Sequence, residues 1–370
     1  MVNGVNSEPL YAVGLDVGGA NTKACLVKVG SGRIKEVKVV STYFPIWKRG
    51  KDELPKVLQQ LKELLLQGFE AGVVGVTMTA ELSDAYFCKR EGVHHVLNSV
   101  KSVFPEDVIS VIDCDGRLLS VDEAKADPLR VAAANWMATA SMVSKLVPTC
   151  LVVDVGSTTT SIIPIAYGKP IAIGKNDLEK LACGELIYTG ALRTNLAAII
   201  NRVPVKGMMV RVSSELFATT ADVHLVLNHI SMEDYTCDTA DGRGKSRLEC
   251  LARLSRVVCA DIDMLDEGEL LRLASFIYER QIDQIVEGVR EVYERLKREA
   301  PNLEIPAVVA GIGRRFLAEE AVKRLGIRAI DLANLIGSEA SKAAPSVGVA
   351  ILAASSRVGE ALWSSISSLR

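Results

Sequence analysis

The sequence predicts an α/β protein of two domains, and three observations carry that prediction. The chain has 370 residues, enough for two separate cores at roughly 100–200 residues each. A strand–turn–strand segment from Tyr11 to Val29 is echoed by a second from Cys150 to Gly168. Between and after them, short apolar runs suited to buried strands alternate with stretches of helical period.

Each of the paired segments opens with a buried-strand run, continues Asp-Val-Gly, turns on small polar residues, and closes with a second apolar run. The leucine spacing from Glu53 to Gln67 predicts a helix, Ala71 to Thr79 a buried strand, and Asp107 to Asp113 another. Val131 to Leu146 is an Ala-rich helix that Pro148 separates from the second hairpin, which puts the domain crossover nearby. Ser213 to Asn228 has a polar start and an apolar periodic remainder, and the polar, Gly-containing Thr236 to Arg247 is a loop. Leu248 to Met264 and Glu267 to Glu299 read as long amphipathic helices. Ala307 to Leu325 reads as strand, glycine turn and helix, and Ser346 to Ser356 as a final small-residue helix. The doubled hairpin is the only internal repeat.

Bulk composition excludes several functions. A net charge of −2 gives no electrostatic reason to expect nucleic acid or an acidic membrane as partner. No run approaches a membrane span, and the N-terminus lacks the basic and apolar regions of a secretory signal, so a cytoplasmic protein is expected. The eight cysteines form no CxxC pair and lie at no zinc-finger spacing from the four histidines; they are expected as reduced thiols, with Cys25 and Cys150 in the core.

The two hairpins carry the chemistry. A turn of Gly, Ser and Thr points backbone N–H groups and hydroxyls at an anion. An Asp ending the first strand can hold a metal-bound water or accept a proton. Two such turns suit a polyphosphate gripped from both sides. This makes Gly18, Gly19, Asn21 and Thr22 the phosphate-binding residues of the first hairpin. Gly156, Ser157, Thr158, Thr159 and Thr160 have that role in the second, with Gly311 and Gly313 added by the later turn. Asp16 and Asp154 are the metal and catalytic carboxylates, expected to face each other, and Lys23 is the cation of the first turn region.

GLDVGGANTKA and VVDVGSTTT resemble the two phosphate motifs of the actin/hexokinase/Hsp70 superfamily, and VVAGIGRRF, Val308 to Phe316, resembles its adenosine motif. The resemblance implies two ribonuclease H-like domains with an interdomain cleft. On that reading residues 1–133 form the first domain, rejoined by a C-terminal helix at 341–370, and residues 134–340 form the second with a helical insertion. A narrower resemblance spans nearly the whole chain. YFPIWK, VTMTAELSDAY, the Asn135–Trp136 pair, GELIYTGALRT, ELFATTADVHLVL, DTADGR and RVVCAD are similar, in order, to the hydantoinase A-like, tetrahydromethanopterin-linked C1-transfer family. That resemblance implies a transferase of methanofuran biosynthesis. It would join an aminomethyl-furanylmethyl diphosphate to the phenol of γ-glutamyltyramine, forming an ether and releasing diphosphate with Mg²⁺ as cofactor. ATP remains open as a further ligand. The family's second phosphate motif continues to an Asp where this chain has Ser161, which shifts the metal-holding role onto Asp16 and Asp154.

Other residues have two accounts each. Glu81 and Asp84 follow a buried strand, where α/β proteins place substrates, or they serve a helix start. Asp238, Asp241 and Arg243 contact substrate or belong to a solvated loop. Glu215, Thr219, Thr220 and Asp222 line the site or cap helices. His224 and His229 read as structural, and Tyr43, Trp47 and Trp136 as core or interface aromatics. Either Asp16 or Asp154 could act as the base. Two other functions use the same residues: an ATP-dependent kinase or hydantoinase/oxoprolinase-type enzyme, and a non-catalytic nucleotide-gated binding protein.

Overall fold

The computed structural model describes residues 8–369. Residues 1–7, on which the expected lack of a secretory signal partly rests, and Arg370 of the expected returning segment lie outside the described residues.

Six strands make the first sheet: β1 (Leu10–Val17), β2 (Asn21–Gly30), β3 (Arg33–Tyr43), β4 (Val73–Met78), β5 (Ile109–Ile112) and β6 (Leu118–Leu119). Their order is β3-β2-β1-β4-β5-β6. β2 runs antiparallel to β1, placing Lys23 opposite Asp16, and β4 runs parallel to β1, placing Thr77 beside Asp16. Next along the chain come β7 (Cys150–Val155), β8 (Thr160–Ala166), β9 (Lys169–Pro170) and β10 (Leu186–Ile187). A separate hairpin follows, β11 (Arg202–Val205) with β12 (Met208–Arg211), and then β13 (Ala307–Ala310) and β14 (Ala329–Asp331). The second sheet has the order β10-β8-β7-β13-β14, with β9 added on β8. Counted in the order the strands enter, and with β9 set aside, both sheets read 3-2-1-4-5 across their first five strands. The duplication seen in the hairpins therefore extends to the sheets.

The described chain divides into two compact units: residues 8–152, 163–182 and 330–369 form one, and residues 153–162 and 183–329 the other. In the first unit, alternate residues of the central strands serve two layers. Val13, Leu15, Val17, Val74, Val76 and Met78 pack in one core with Leu58, Leu61 and Leu65 of the helix Leu54–Leu66 and Val93, Val96 and Leu97 of the helix Lys89–Lys101. The opposite face is covered by the helix Ala344–Val358. There Gly14 and Gly75 lie side by side, and a Cβ on either would stand 1.9 Å from the Ser346 carbonyl or 2.4 Å from that of Val349. Only glycine lets this helix lie flush on the strands.

In the second unit the 33-residue helix Glu267–Glu299 is the longest element, started by the Asp266 side chain accepting from the Glu269 N–H at 2.8 Å. Several boundaries depart from the sequence reading. The helix expected to start at Val131 starts at Asn135, because Ala133 takes a left-handed backbone at φ 53°. The helix expected to run to Met264 spans Arg247–Arg256. Cys259 is left-handed at φ 56°, and the Asp261 side chain accepts from the N–H groups of Asp263 and Met264, an Asx turn that replaces the helical bonds. A π-helical turn, Arg314–Ala318, precedes the helix Glu319–Arg324. Among the described residues no helix is long and apolar enough to cross a membrane.

Candidate active site

Each unit carries candidate residues at the carboxyl ends of its strands.

In the first unit Asp16, 8% exposed, is the penultimate residue of β1. The turn that follows closes with the Gly18 N–H donating to the Asn21 carbonyl at 3.1 Å. Phe44 and Ile46 donate backbone N–H groups to the carbonyls of Ala20 and Gly19, at 2.8 and 3.0 Å, so the stretch containing Tyr43 and Trp47 braces the turn from behind. By register, Asp16, Lys23 and Thr77 share one sheet face. Lys23 Nζ donates to the Lys342 carbonyl at 2.8 Å. Thr22 and Thr77 are buried, and neither hydroxyl has a hydrogen-bond partner. After β4 the chain passes the turn closely: a Cβ on Gly18 would stand 3.5 Å from Thr79 Oγ1, and one on Gly19 3.5 Å from Ser83 Cβ. Glu81, in this segment, is buried, whereas Asp84 is exposed.

In the second unit Asp154 is the penultimate residue of β7. The Gly156 N–H donates to the Thr159 carbonyl at 2.9 Å. The segment 190–193 lies on this turn. Ala191 donates to the Gly156 carbonyl, and Leu192 and Arg193 both donate to that of Ser157, each at 2.9 Å. The Arg193 guanidinium reaches Thr158 Oγ1 at 3.2 Å. The Thr160 hydroxyl donates to the Thr189 carbonyl at 2.8 Å. Gln281 fixes the same segment by donating to Thr189 Oγ1 and the Gly190 carbonyl, at 3.0 and 2.9 Å. The glycine turn after β13 folds onto the end of β7, where the Gly313 N–H donates to the Val155 carbonyl at 3.0 Å. Gly311 has φ 82°, and a Cβ there would stand 2.5 Å from Asp154 Oδ1. The structure therefore brings the Gly311–Gly313 turn onto the end of the strand carrying Asp154, next to the Gly156–Thr159 turn, with Gly311 against the Asp154 carboxylate. It adds Arg193, whose only sequence signal was a cation inside the GELIYTGALRT motif.

The remaining candidates lie elsewhere in the second unit. The Asp222 carboxylate accepts from the Thr219 N–H at 2.9 Å, from Tyr235 Oη at 3.2 Å and from Arg253 Nε at 2.8 Å. Burial holds this carboxyl above its usual range, against the pull of Arg253. Arg253 and Arg256 also reach Asp241, at 3.1 and 2.9 Å, and the Arg243 N–H donates to the same side chain at 3.1 Å. This ties the DTADGR loop to the helix Arg247–Arg256. Thr220 Oγ1 donates to the Gly190 carbonyl at 2.9 Å, which connects the helix Thr220–Val226 to the segment lying on the Gly156–Thr159 turn. Glu215, Asp238 and the Arg243 side chain are exposed. His224 is packed between Gln281 at 3.0 Å and His229 at 3.1 Å, with its ring against Phe316; burial pushes it down to about 3, so it is neutral at physiological pH.

Two sheets of 3-2-1-4-5 order, each opened by an Asp-x-Gly hairpin, define the duplicated ribonuclease H-like fold of the actin/hexokinase/Hsp70 superfamily. Nucleotide-free acetone carboxylase shares the fold, with a TM-score of 0.54 at 10% identity over 93% of this chain and 70% of that one. The hydantoinase/oxoprolinase family profile matches residues 72–356, and the chain belongs to that family. It is 39% identical over 344 residues to the (4-{4-[2-(gamma-L-glutamylamino)ethyl]phenoxymethyl}furan-2-yl)methanamine synthase of Methanocaldococcus jannaschii, covering 93% of this chain and 97% of that protein. It is 40% identical over 206 residues to the synthase of the same name from Methanococcus vannielii, covering 55% of this chain and 90% of that protein.

Proposed function

We propose that the protein is the methanofuran-pathway synthase that joins an aminomethyl-furanylmethyl diphosphate to the phenol of γ-glutamyltyramine, forming an aryl ether and releasing diphosphate. The observation that carries this reading is the 39% identity to the Methanocaldococcus jannaschii synthase over almost the full length of both chains. The site chemistry agrees with it. A furanylmethyl carbon ionises readily once its leaving group is stabilised, because the furan oxygen supports the cation. The turn N–H groups, the Thr158 and Thr159 hydroxyls, Lys23 and Arg193 are donors suited to the departing diphosphate, whereas the buried Thr160 hydroxyl, expected as a phosphate ligand, is committed to the Thr189 carbonyl. Asp16 and Asp154 are hard oxygen donors of the kind Mg²⁺ takes, and the missing side chain at Gly311 leaves space at Asp154 Oδ1. When bound, Mg²⁺ would supply charge neutralisation to the leaving group. The phenol has an ordinary pKa of ~10, so reaching phenolate at neutral pH costs about 4 kcal/mol without a base. The reading places the enzyme in the cytoplasm and needs no ATP.

Purified protein with Mg²⁺ and both substrates is expected to yield the ether and diphosphate by mass spectrometry with ATP omitted, and calorimetry should show Mg²⁺-diphosphate binding at least as tightly as Mg²⁺-ATP. Tight ATP binding with no diphosphate binding and no ether would favour a kinase-type enzyme instead.

Ser161 provides a second test. It lies on β8 opposite Leu186 of β10, directly after the threonine run. Ser161→Asp adds a carboxylate at the family's acidic position and is expected to lower the Mg²⁺ concentration needed for half-maximal activity. An unchanged metal titration would place residue 161 outside the metal's reach.

A further inference from the structure

Glu81 is 1% exposed in the short helix Ala80–Leu82 at the carboxyl end of β4; no side chain bonds its carboxylate oxygens, and only the backbone N–H groups of Glu81 itself and Ala133 act on them, without outweighing burial. A buried carboxylate with no side-chain partner is a net cost to the fold. The charges around it do not offset that cost. Lys89 is paired with Asp177 at 2.8 Å, so its attraction for Glu81 is opposed by Asp177's repulsion. Lys180 Nζ lies 3.7 Å over the Trp136 ring. The helix Lys89–Lys101 presses its Gly92 onto the Glu81 backbone and brings Glu91, His94 and His95 on the same element. Tyr86, whose hydroxyl is 2.8 Å from His95 Nδ1, is the nearby phenol. Burial pushes the Glu81 carboxyl up to about 7, near the operating pH at which a general base works best. The segment carrying Glu81 packs directly on the first phosphate turn, through Thr79 and Ser83.

A carboxylate that holds a metal is a weak base, which argues against giving Asp16 or Asp154 both tasks. We infer that Glu81 is the general base of the synthase, taking the phenol proton of the acceptor as the phenol oxygen attacks the furanylmethyl carbon. The inference rests on the synthase reading above. In the step, the phenol oxygen forms the new C–O bond as its O–H bond breaks and the proton moves to Glu81. The bond between the furanylmethyl carbon and the diphosphate oxygen breaks, with its electron pair leaving on diphosphate. Glu81 then returns the proton to solvent. On this inference the acceptor reaches Glu81 when residues 83–88 shift; they form only turns and bends with Phe87 98% exposed, anchored by the buried Tyr86 and its bond to His95.

The test is the pH dependence of kcat/KM for wild type and Glu81→Gln. The base works ionised, so wild-type kcat/KM should climb through about 7 and level off above it. Glu81→Gln should lose that limb and at least about 100-fold in rate, with Mg²⁺-diphosphate affinity unchanged. A ring-fluorinated acceptor, whose phenol ionises more easily, should recover more activity in the variant than in wild type. If Glu81→Gln misfolds, Glu81→Asp serves, expected to be slower but to keep the limb. A folded Glu81→Gln within about threefold of wild type, or one that keeps the limb, would overturn the assignment. No ether from wild type would remove the synthase reading itself, and the inference with it.

Discussion

Asp154→Asn is expected to slow ether formation at least about 100-fold while leaving the protein folded. Asparagine is nearly isosteric, so the close contacts that Gly311 and Gly313 make with the end of β7 should survive. The substitution removes the negative charge for which a hard cation selects, and with it the stabilisation of diphosphate at the moment the carbon–oxygen bond breaks. Asp16→Asn should show a similar loss, partly recovered at high Mg²⁺. Product formation by mass spectrometry, read beside thermal unfolding, separates the two effects. A rate within about tenfold of wild type with an unchanged melting profile would mean that Asp154 is not part of the catalytic apparatus.

Arg253→Leu should produce the largest loss of stability. Arg253 and Asp222 are both 0% exposed and paired at 2.8 Å, and Arg253 further holds Asp241 and the Gly244 carbonyl. Removing the cation leaves a buried carboxylate uncompensated, a loss of about 3–5 kcal/mol. The double variant Asp222→Asn/Arg253→Leu removes the stranded charge and should regain much of it. With two units a single unfolding free energy is poorly defined, so hydrogen exchange over residues 235–256 is the better measure. Unchanged protection in Arg253→Leu would show that the pair contributes nothing to holding this loop.

Much of this molecule could be read from its residues, and the exceptions have physical causes. The hairpins at Asp16 and Asp154 were visible because an apolar run, Asp-x-Gly and a turn of small polar residues is a local pattern. β3 was not, because the aliphatic residues of RIKEVKVVSTY fall at Ile34, Val37, Val39 and Val40, without a clean period of two. The β11–β12 hairpin turns at Lys206 and Gly207, both at positive φ, but Pro204 weakens any strand reading there. The helix beginning at Arg247 was read too long because Val257 and Val258 continue the apolar pattern into turns set by Asp261. At the candidate site, motif spacing located the two Asp-x-Gly turns. It could not reveal that segment 190–193 folds onto the second turn and brings Arg193 to Thr158, since that contact joins residues far apart in sequence. Nor could it separate Glu81 from Asp84: both are acids three residues apart, and only tertiary packing buries one and exposes the other.

The flush seat of the helix Ala344–Val358 on Gly14 and Gly75 also bears on how the protein is made. By register, Ala12, Gly14, Cys25, Val27, Val73 and Gly75 form one small-residue face, and the helix that covers it is encoded far downstream. At ~5–20 residues per second, a ribosome needs roughly 10–50 s to go from Ile112, the end of β5, to Val358. For that interval the nascent first sheet lacks its cover on one side, a state open to edge pairing and aggregation. Release of the nascent chain before residue 344 should therefore give insoluble product, and chaperone demand should fall once Val358 has emerged.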